Sequence, residues 1–293
     1  MKLYRTVRPR ASFPLAVLRG TMVHTPRAMN ADTVAQYRSW FTRFVQDHAA
    51  RDEQDQQNIV LKEEHTLQVC GNARRIAAEL GLDERAAAIA ETVALFHDIG
   101  RFPQYHRYRT FQDSLSVNHA VLGAQVLLER NVLRDLPRLE QSLIVRAVAL
   151  HNVFTLPQDL AVDVLLQAKL VRDADKLDIW RVFMELLDRD TADWPSAAGL
   201  GLPDTPEHSP GVLDSLERRE MVRLTSLRTL NDFKLLQLAW IYDLNFAPSL
   251  RMVVERGVID RLSATVPQTR EVGRALGKLR QFVAVRLAAG TAA

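Results

Sequence analysis

Six side chains in this chain have the types and spacing to hold a metal: His65, the pair His97-Asp98, His119, His151 and Asp175. Each falls on, or at the end of, an apolar stripe with helical period. His65 shares its stripe with Val69, Ala73, Ile76 and Leu80, and His119 with Leu122 and Val126. His151 ends a stripe of Ile144 and Val148, and Asp175 lies between Val171 and Ile179. One inward histidine is ordinarily a core residue with a satisfied hydrogen bond. A buried carboxylate is costlier and needs a cation, and Asp98 and Asp175 both sit in apolar surroundings. Lys176 neighbours Asp175 in sequence but faces another side of the helix. A divalent transition metal answers all six at once. Imidazole and carboxylate ligands suit manganese, iron, zinc or nickel, with magnesium the remaining candidate. Successive helical side chains diverge by about 100°, so at a helix end His97 and Asp98 can flank two adjacent ions, with the carboxylate as bridge. Asp173 lies on an apolar stripe of its own with Leu166, Leu170 and Leu177, and periodicity does not choose between it and Asp175.

The elements that must carry these residues read as helices almost throughout. The first is expected from Asp32 or Thr33, with the stripe Val34, Tyr37, Phe41, Phe44 and Val45. Polar residues 50–57 interrupt the pattern. A second helix runs from about Ile59 to Leu80 and stops at Gly81, a residue suited to a left-handed cap. Asp83 can cap a third, Arg85 to His97. Residues 99–115 combine Gly, Pro and many aromatics and read as a loop. Further helices fit Val117–Arg130, with Ser116 as N-cap, Leu139–His151 and Leu160–Leu187. Residues 195–211 hold seven of the 24 glycines and prolines, which marks a long loop. A final helix carries Val272, Leu276, Leu279, Val283 and Leu287 on one face. No period-two alternation predicts a sheet, so the expected class is all-α. The expected organisation is a basic tail (1–31), a helical metal-binding core (32–190), a Gly/Pro-rich loop (191–212) and a C-terminal helical region (213–293).

The ordered set His65, His97-Asp98, His119, His151 and Asp175, with the strings EEHTLQV, ALFHDIGRF, SVNHA, ALHN and VRDADKLD, resembles the HD-domain superfamily of metal-dependent phosphohydrolases over roughly residues 58–190. The resemblance implies an all-helical core. It also implies a first metal on His65, His97, Asp98 and Asp175, and a second on His119 and His151 with Asp98 bridging. The family pattern, an Asp after Ala and before a basic residue, favours Asp175 over Asp173. A Gly-Tyr-Pro string, found in the cyclic-dinucleotide phosphodiesterase branch, is absent. So is the Glu-Asp pair that follows His-Asp in guanosine tetraphosphate hydrolases; Ile99-Gly100-Arg101 stands there instead. Neither substrate is carried over. Asp98, His97 and Arg101 are the expected catalytic residues. The segment RFPQYHRYRTFQD places Arg101, Arg107 and Arg109 among Phe102, Tyr105, Tyr108 and Phe111. Beside a metal, guanidinium groups suit phosphate, so these three and Lys176 are the expected substrate cations.

The implied activity is hydrolysis of a phosphate ester, of a nucleotide or another small phosphorylated metabolite, by metal-activated water. Two other readings fit the same ligands: a di-iron oxygenase acting on a small polyol or a phosphonate, and a metal-stabilised regulatory module without catalysis. The net charge of +3 does not point to nucleic acid. Residues 1–31 hold six basic and no acidic residues, so of 38 basic residues 32 remain in the body against 35 acidic. The tail is expected to lie outside the fold, with Met22 or Met29 as an alternative start. No run of about 18 apolar residues suggests a membrane span. The lone cysteine, Cys70, excludes a disulfide framework and fits a reducing cytoplasm; it should pack as a small apolar residue. The expected partner is a small phosphorylated substrate, with neither membrane nor nucleic acid, and self-association is left open. His24, His48, His106 and His208 fit no ligand order.

Overall fold

In the computed structural model, residues 27–188 and 201–290 are described, and among them there are helices and turns but no strand. Residues 1–26 of the expected tail, with His24, and residues 189–200, the end of the expected core and the first part of the Gly/Pro-rich loop, lie outside the described residues; the tail's last residues instead join the fold, with Met29 buried and Ala31 opening the first helix. Among the described residues, seven helices build the first part: α1 (Ala31–Gln46), α2 (Glu53–Glu79), α3 (Glu84–Phe96), α4 (Arg101–Tyr108), α5 (His119–Glu129), α6 (Arg138–Leu150) and α7 (Val162–Leu187). Five more follow: α8 (Pro210–Glu217), α9 (Leu230–Ala239), α10 (Ala247–Glu255), α11 (Val258–Ala264) and α12 (Arg270–Gly290). The all-α class expected from the spacing is what the chain adopts.

Local chemistry explains most boundaries. Asp83 caps α3 by accepting from the Ala86 N–H at 2.7 Å, as its position predicts; such caps are worth about 1 kcal/mol. Gly81 stands just past α2 with φ +66°, the left-handed geometry expected of it. Other ends differ by a few residues. Asn30, not Asp32 or Thr33, caps α1. Asp52 caps α2, so the polar residues after it form the helix's first turns rather than a break. Asn118, not Ser116, caps α5 through its contact with the Val121 N–H.

The loop expected over 99–115 is corrected by α4. Pro103 is the third residue of that helix, where its missing N–H would have no helical partner anyway. Phe102 and Tyr105, three apart, bury one face of it. Pro and aromatic content mimicked a loop; position within the first turn decides otherwise. Likewise Pro210 and Gly211, assigned to the loop, open α8.

The core is one continuous apolar cluster that takes residues from α1 through α12. At its centre α2 and α3 lie against α7, and α6 packs on α3, α5 and α7. Trp180 of α7 is fully buried, and its Nε1–H donates to the Gln237 carbonyl of α9 at 3.3 Å. Helices α10 and α11 lie on α7, and α10 also reaches α2. Arg256 closes this seam by donating to Asn72 Oδ1 at 2.7 Å and to the Leu177 carbonyl at 3.2 Å. Cys70 is buried, as expected. Among the described residues no helix is long and apolar enough to cross a membrane.

Candidate metal centre

Five helices bring the six residues together. His65 projects from the middle of α2, and Asp175 from the middle of α7. His97 is the C-cap of α3, Asp98 follows it in the turn to α4, His119 is the first residue of α5, and His151 caps the C-terminus of α6. The turn between α3 and α4 is tight because Gly100 allows it. A Cβ there would lie 2.2 Å from the His119 carbonyl oxygen and 2.6 Å from the Gly123 nitrogen, so only a glycine lets the His97-Asp98 turn touch the start of α5.

Asp98 is the hub. Its Oδ2 faces His65 Nε2 at 3.8 Å and His97 Nε2 at 3.7 Å. Its Oδ1 faces His119 Nε2 at 3.3 Å and His151 Nε2 at 3.7 Å. Asp175 Oδ1 completes the first side, 3.1 Å from His65 Nε2 and 3.7 Å from His97 Nε2. The two oxygens of one carboxylate thus look into two adjacent clusters. The side chains of five of these residues are nearly or wholly buried; that of Asp175 is 20% exposed.

Every imidazole is oriented through its other nitrogen. His97 Nδ1–H donates to the Ala94 carbonyl at 2.7 Å and His151 Nδ1–H to the Val148 carbonyl at 2.8 Å. His65 Nδ1–H donates to Asp178 at 2.7 Å and His119 Nδ1–H to Asp113 at 2.8 Å. Carbonyls and carboxylates only accept, so each Nδ1 carries a hydrogen and in the neutral ring Nε2 turns a lone pair inward; His65 in its cationic form would instead donate from Nε2 to Asp175.

The electrostatics call for positive charge among these lone pairs. Burial pushes His97 and His119 down to about 4, so both are neutral at pH 7. His97 Nε2 is buried with no hydrogen-bond partner. His119 Nε2 and His151 Nε2 stand 3.0 Å apart with both Nδ1 hydrogens committed elsewhere, so two lone pairs oppose each other. Burial would raise the Asp98 carboxyl, but Lys62, His97 and Arg101 outweigh it and hold it well below the usual carboxylate range. Burial and Lys62 would lower His65, yet its bonds to Asp175 and Asp178 raise it. A buried orphan nitrogen, a pair of opposed lone pairs and two ionised carboxylates fit divalent cations. Ligand atoms lie within 4.8 Å of one another in the sets His65, His97 and Asp98, and Asp98, His119 and His151, and also in His97, His151 and Asp175.

Residues 63–180 match the family model described as HD domain. These residues form an HD domain. All six candidate ligands lie within it. HD domains belong to a superfamily made up mostly of metal-dependent hydrolases, and the buried His/Asp cluster of this one could hold a divalent metal. No curated protein and no solved structure matches the chain.

Of the two rival aspartates in the HD domain, Asp175 faces the cluster. Asp173 is buried elsewhere, accepting from the Asn245 N–H at 3.0 Å and the Phe246 N–H at 3.1 Å. Arg101 reaches the cluster, with Nε 3.4 Å from Asp98 Oδ1 and Nη1 3.0 Å from Asp113 Oδ1. The other expected substrate cations are not brought there. Lys176 turns to Asp243 at 2.9 Å. Arg109 is exposed and pairs with Asp55 at 2.8 Å. Arg107 is exposed over the Tyr108 ring.

Three residues at the centre were not singled out from sequence. Lys62 Nζ lies 2.9 Å from Asp98 Oδ2, and it stands one helical turn before His65. Asp178, which holds His65, stands three residues after Asp175. Asp113 gathers His119 Nδ1, Arg101 Nη1 and, at 2.9 Å, the Gln104 amide. Helical spacing could have flagged the first two; for Asp113, on a short turn (Asp113–Leu115), no periodic signal exists.

Proposed function

We propose that the protein is a metal-dependent phosphohydrolase that cleaves a phosphate ester of a small metabolite. The observation that carries this reading is Asp98, whose two oxygens each face a pair of inward Nε2 lone pairs while Lys62 and Arg101 flank it. His65, His97, Asp98 and Asp175 would hold one divalent ion; Asp98, His119 and His151 would hold the other. Ions bound there supply Lewis-acid chemistry, making water a better nucleophile near neutral pH and offsetting charge on phosphoryl oxygens.

The chain's own residues do the rest. Asp178, Asp113 and the carbonyls of Ala94 and Val148 keep the four rings in the tautomer that offers Nε2. Arg101 is held by Asp113 and the Phe111 carbonyl, so its guanidinium reaches the centre already oriented for a phosphate oxygen. Lys62, whose side chain is 20% exposed, offers a second cation at the rim. Asp175, the most exposed of the six candidate ligands, marks the side open to substrate. No cysteine or serine nucleophile is required.

The test is metal content of protein purified without chelator or nickel affinity, followed by a phosphate-release panel of phosphomonoesters and phosphodiesters under manganese or iron. About two equivalents and metal-dependent release are expected, with release abolished in His97→Ala while circular dichroism is unchanged. Oxygen consumption under iron without phosphate release would replace the hydrolase by the oxygenase reading. Absence of any bound metal after manganese and iron are added back would sink both.

A further inference from the structure

The HD match ends at residue 180, yet the C-terminal region reaches the centre through a chain of charges whose two cations are buried. Arg172 on α7 is buried. Its Nη1 donates to the His151 carbonyl at 3.2 Å and also to the Val153 carbonyl, and its Nη2 donates to Asp243 Oδ2 at 2.8 Å. Lys176, also buried, donates to that same oxygen at 2.9 Å. Asp243 closes the short turn Trp240–Asp243 after α9. One carboxylate from outside the HD domain therefore pairs with two buried cations of α7, and one of those cations grips the backbone at the end of α6.

That grip falls where it matters for His151. Helix α6 ends at Leu150, and the last carbonyls of a helix lack helical donors. The His151 ring is bonded to the Val148 carbonyl within its own last turn, so the direction of its Nε2 follows that turn's backbone. Whatever steadies the His151 and Val153 carbonyls steadies the backbone that carries the ring. A guanidinium suits the task because its planar fork spans two carbonyls and a carboxylate at once; an ammonium is a single point. Without Asp243 the same guanidinium would be a buried charge short of its counter-ion. Asp173 anchors the neighbouring segment independently, by accepting from Asn245 and Phe246, so loss of the Asp243 carboxylate charge alone leaves that segment attached to α7.

We propose that Asp243 is a positioning residue for the His119–His151 half of the centre, acting by holding Arg172 against the end of α6. The inference rests on the reading that this half binds an ion.

The test is a manganese(II) titration, by calorimetry, of the full-length chain stripped of metal, comparing wild type, Asp243→Asn, Arg172→Lys and His151→Ala. Wild type should bind two equivalents and His151→Ala about one. Asp243→Asn and Arg172→Lys should keep the ion that His151→Ala keeps, at unchanged affinity, and bind the other at least about tenfold more weakly, the size expected when support behind a ligand is lost. Wild-type affinity for both ions in the two variants overturns the proposal, and so does equal weakening of both. Should Asp243→Asn lose its helical circular dichroism, Arg172→Lys decides, because it keeps the charge and removes only the fork. A wild type that binds no manganese at all, nor iron in its place, fails the metal-centre reading itself.

Discussion

The two halves of the centre share Asp98 but stand on different foundations. In the first half, His65 and Asp175 project from the interiors of two long helices, and His97 from the cap of a third. The acceptor behind His65 is Asp178, whose side chain is 1% exposed and which Arg181 braces at 2.6 Å. In the second half, His119 and His151 stand at helix ends. The acceptor behind His119 is Asp113, on a three-residue turn and 31% exposed, and the acceptor behind His151 is the Val148 carbonyl, at a helix end whose following carbonyls Arg172 grips. Helix interiors are fixed by their own hydrogen bonds; helix ends must be fixed by something else. The first half therefore rests mainly on helix interiors and the second on helix ends, and the second ion should be the weaker one.

The sharpest way to break that picture is Asp98→Ala. Both halves lose their shared carboxylate, so the chain should go from about two ions to none. A metal ion acting as Lewis acid is generally worth several kcal/mol of charge stabilisation, so on the proposed hydrolase reading phosphate release should fall by at least about a thousandfold. His151→Ala should instead remove one ion, leaving the tighter one. If Asp98→Ala retains an ion at wild-type affinity, metal analysis would show that the halves do not share a ligand.

Gly100→Ala probes the contact on which the second half rests. The added methyl would run into the backbone of His119 and Gly123, which cannot give way as a flexible side chain would. A destabilisation of about 3 kcal/mol is expected, read as a lower Tm. The second ion should be lost before the first. Alanine accepted at position 100 with unchanged Tm would mean that α5 is free to shift.

A finer comparison exchanges the acceptors behind the rings. Asp178→Asn should weaken the first ion and Asp113→Asn the second, each by about 10- to 100-fold, measured by titration. Asp113→Asn should also raise KM, because Arg101 loses a partner; Asp178→Asn should not. Equal effects of both variants on both ions would dissolve the distinction between the halves.

How far the sequence reveals this arrangement depends on what leaves a local pattern. The helices are legible because burial leaves a period in the apolar residues, and the six candidate ligands are legible because they interrupt that period with polar groups. What escapes is what depends on contacts between elements. Asp178 supports His65 across 113 positions of sequence, and Asp113 has no periodic neighbours at all. Helix α4 escapes because Pro103 reads as a breaker when its place in the first turn is unknown. With α4 taken as a loop, the arginines of this segment carry no face, and only its closeness to Asp98 in sequence sets Arg101 apart from Arg107 and Arg109. In the fold, Arg101 points inward and the other two point to solvent. Arg172 and Asp243 escape for the reason Asp178 does, since nothing local joins them.

The smallest expected effect tests that last difference. Arg109 follows α4 with φ +54°, in the left-handed region, and its guanidinium is spent on Asp55, more than half exposed to water. A surface ion pair of this kind is worth about 0–1 kcal/mol. Arg109→Ala should leave metal stoichiometry and KM unchanged and move Tm by no more than about 2 °C, in line with a stability change near 0.5 kcal/mol. Arg101→Ala, made in parallel, should raise KM for the phosphorylated substrate by about tenfold or more, the loss of one charge-assisted hydrogen bond of roughly 1.5–3 kcal/mol. If Arg109→Ala raised KM as much as Arg101→Ala, the substrate would have to extend over the outer end of α4, and the rim would belong to the site as fully as the buried centre does.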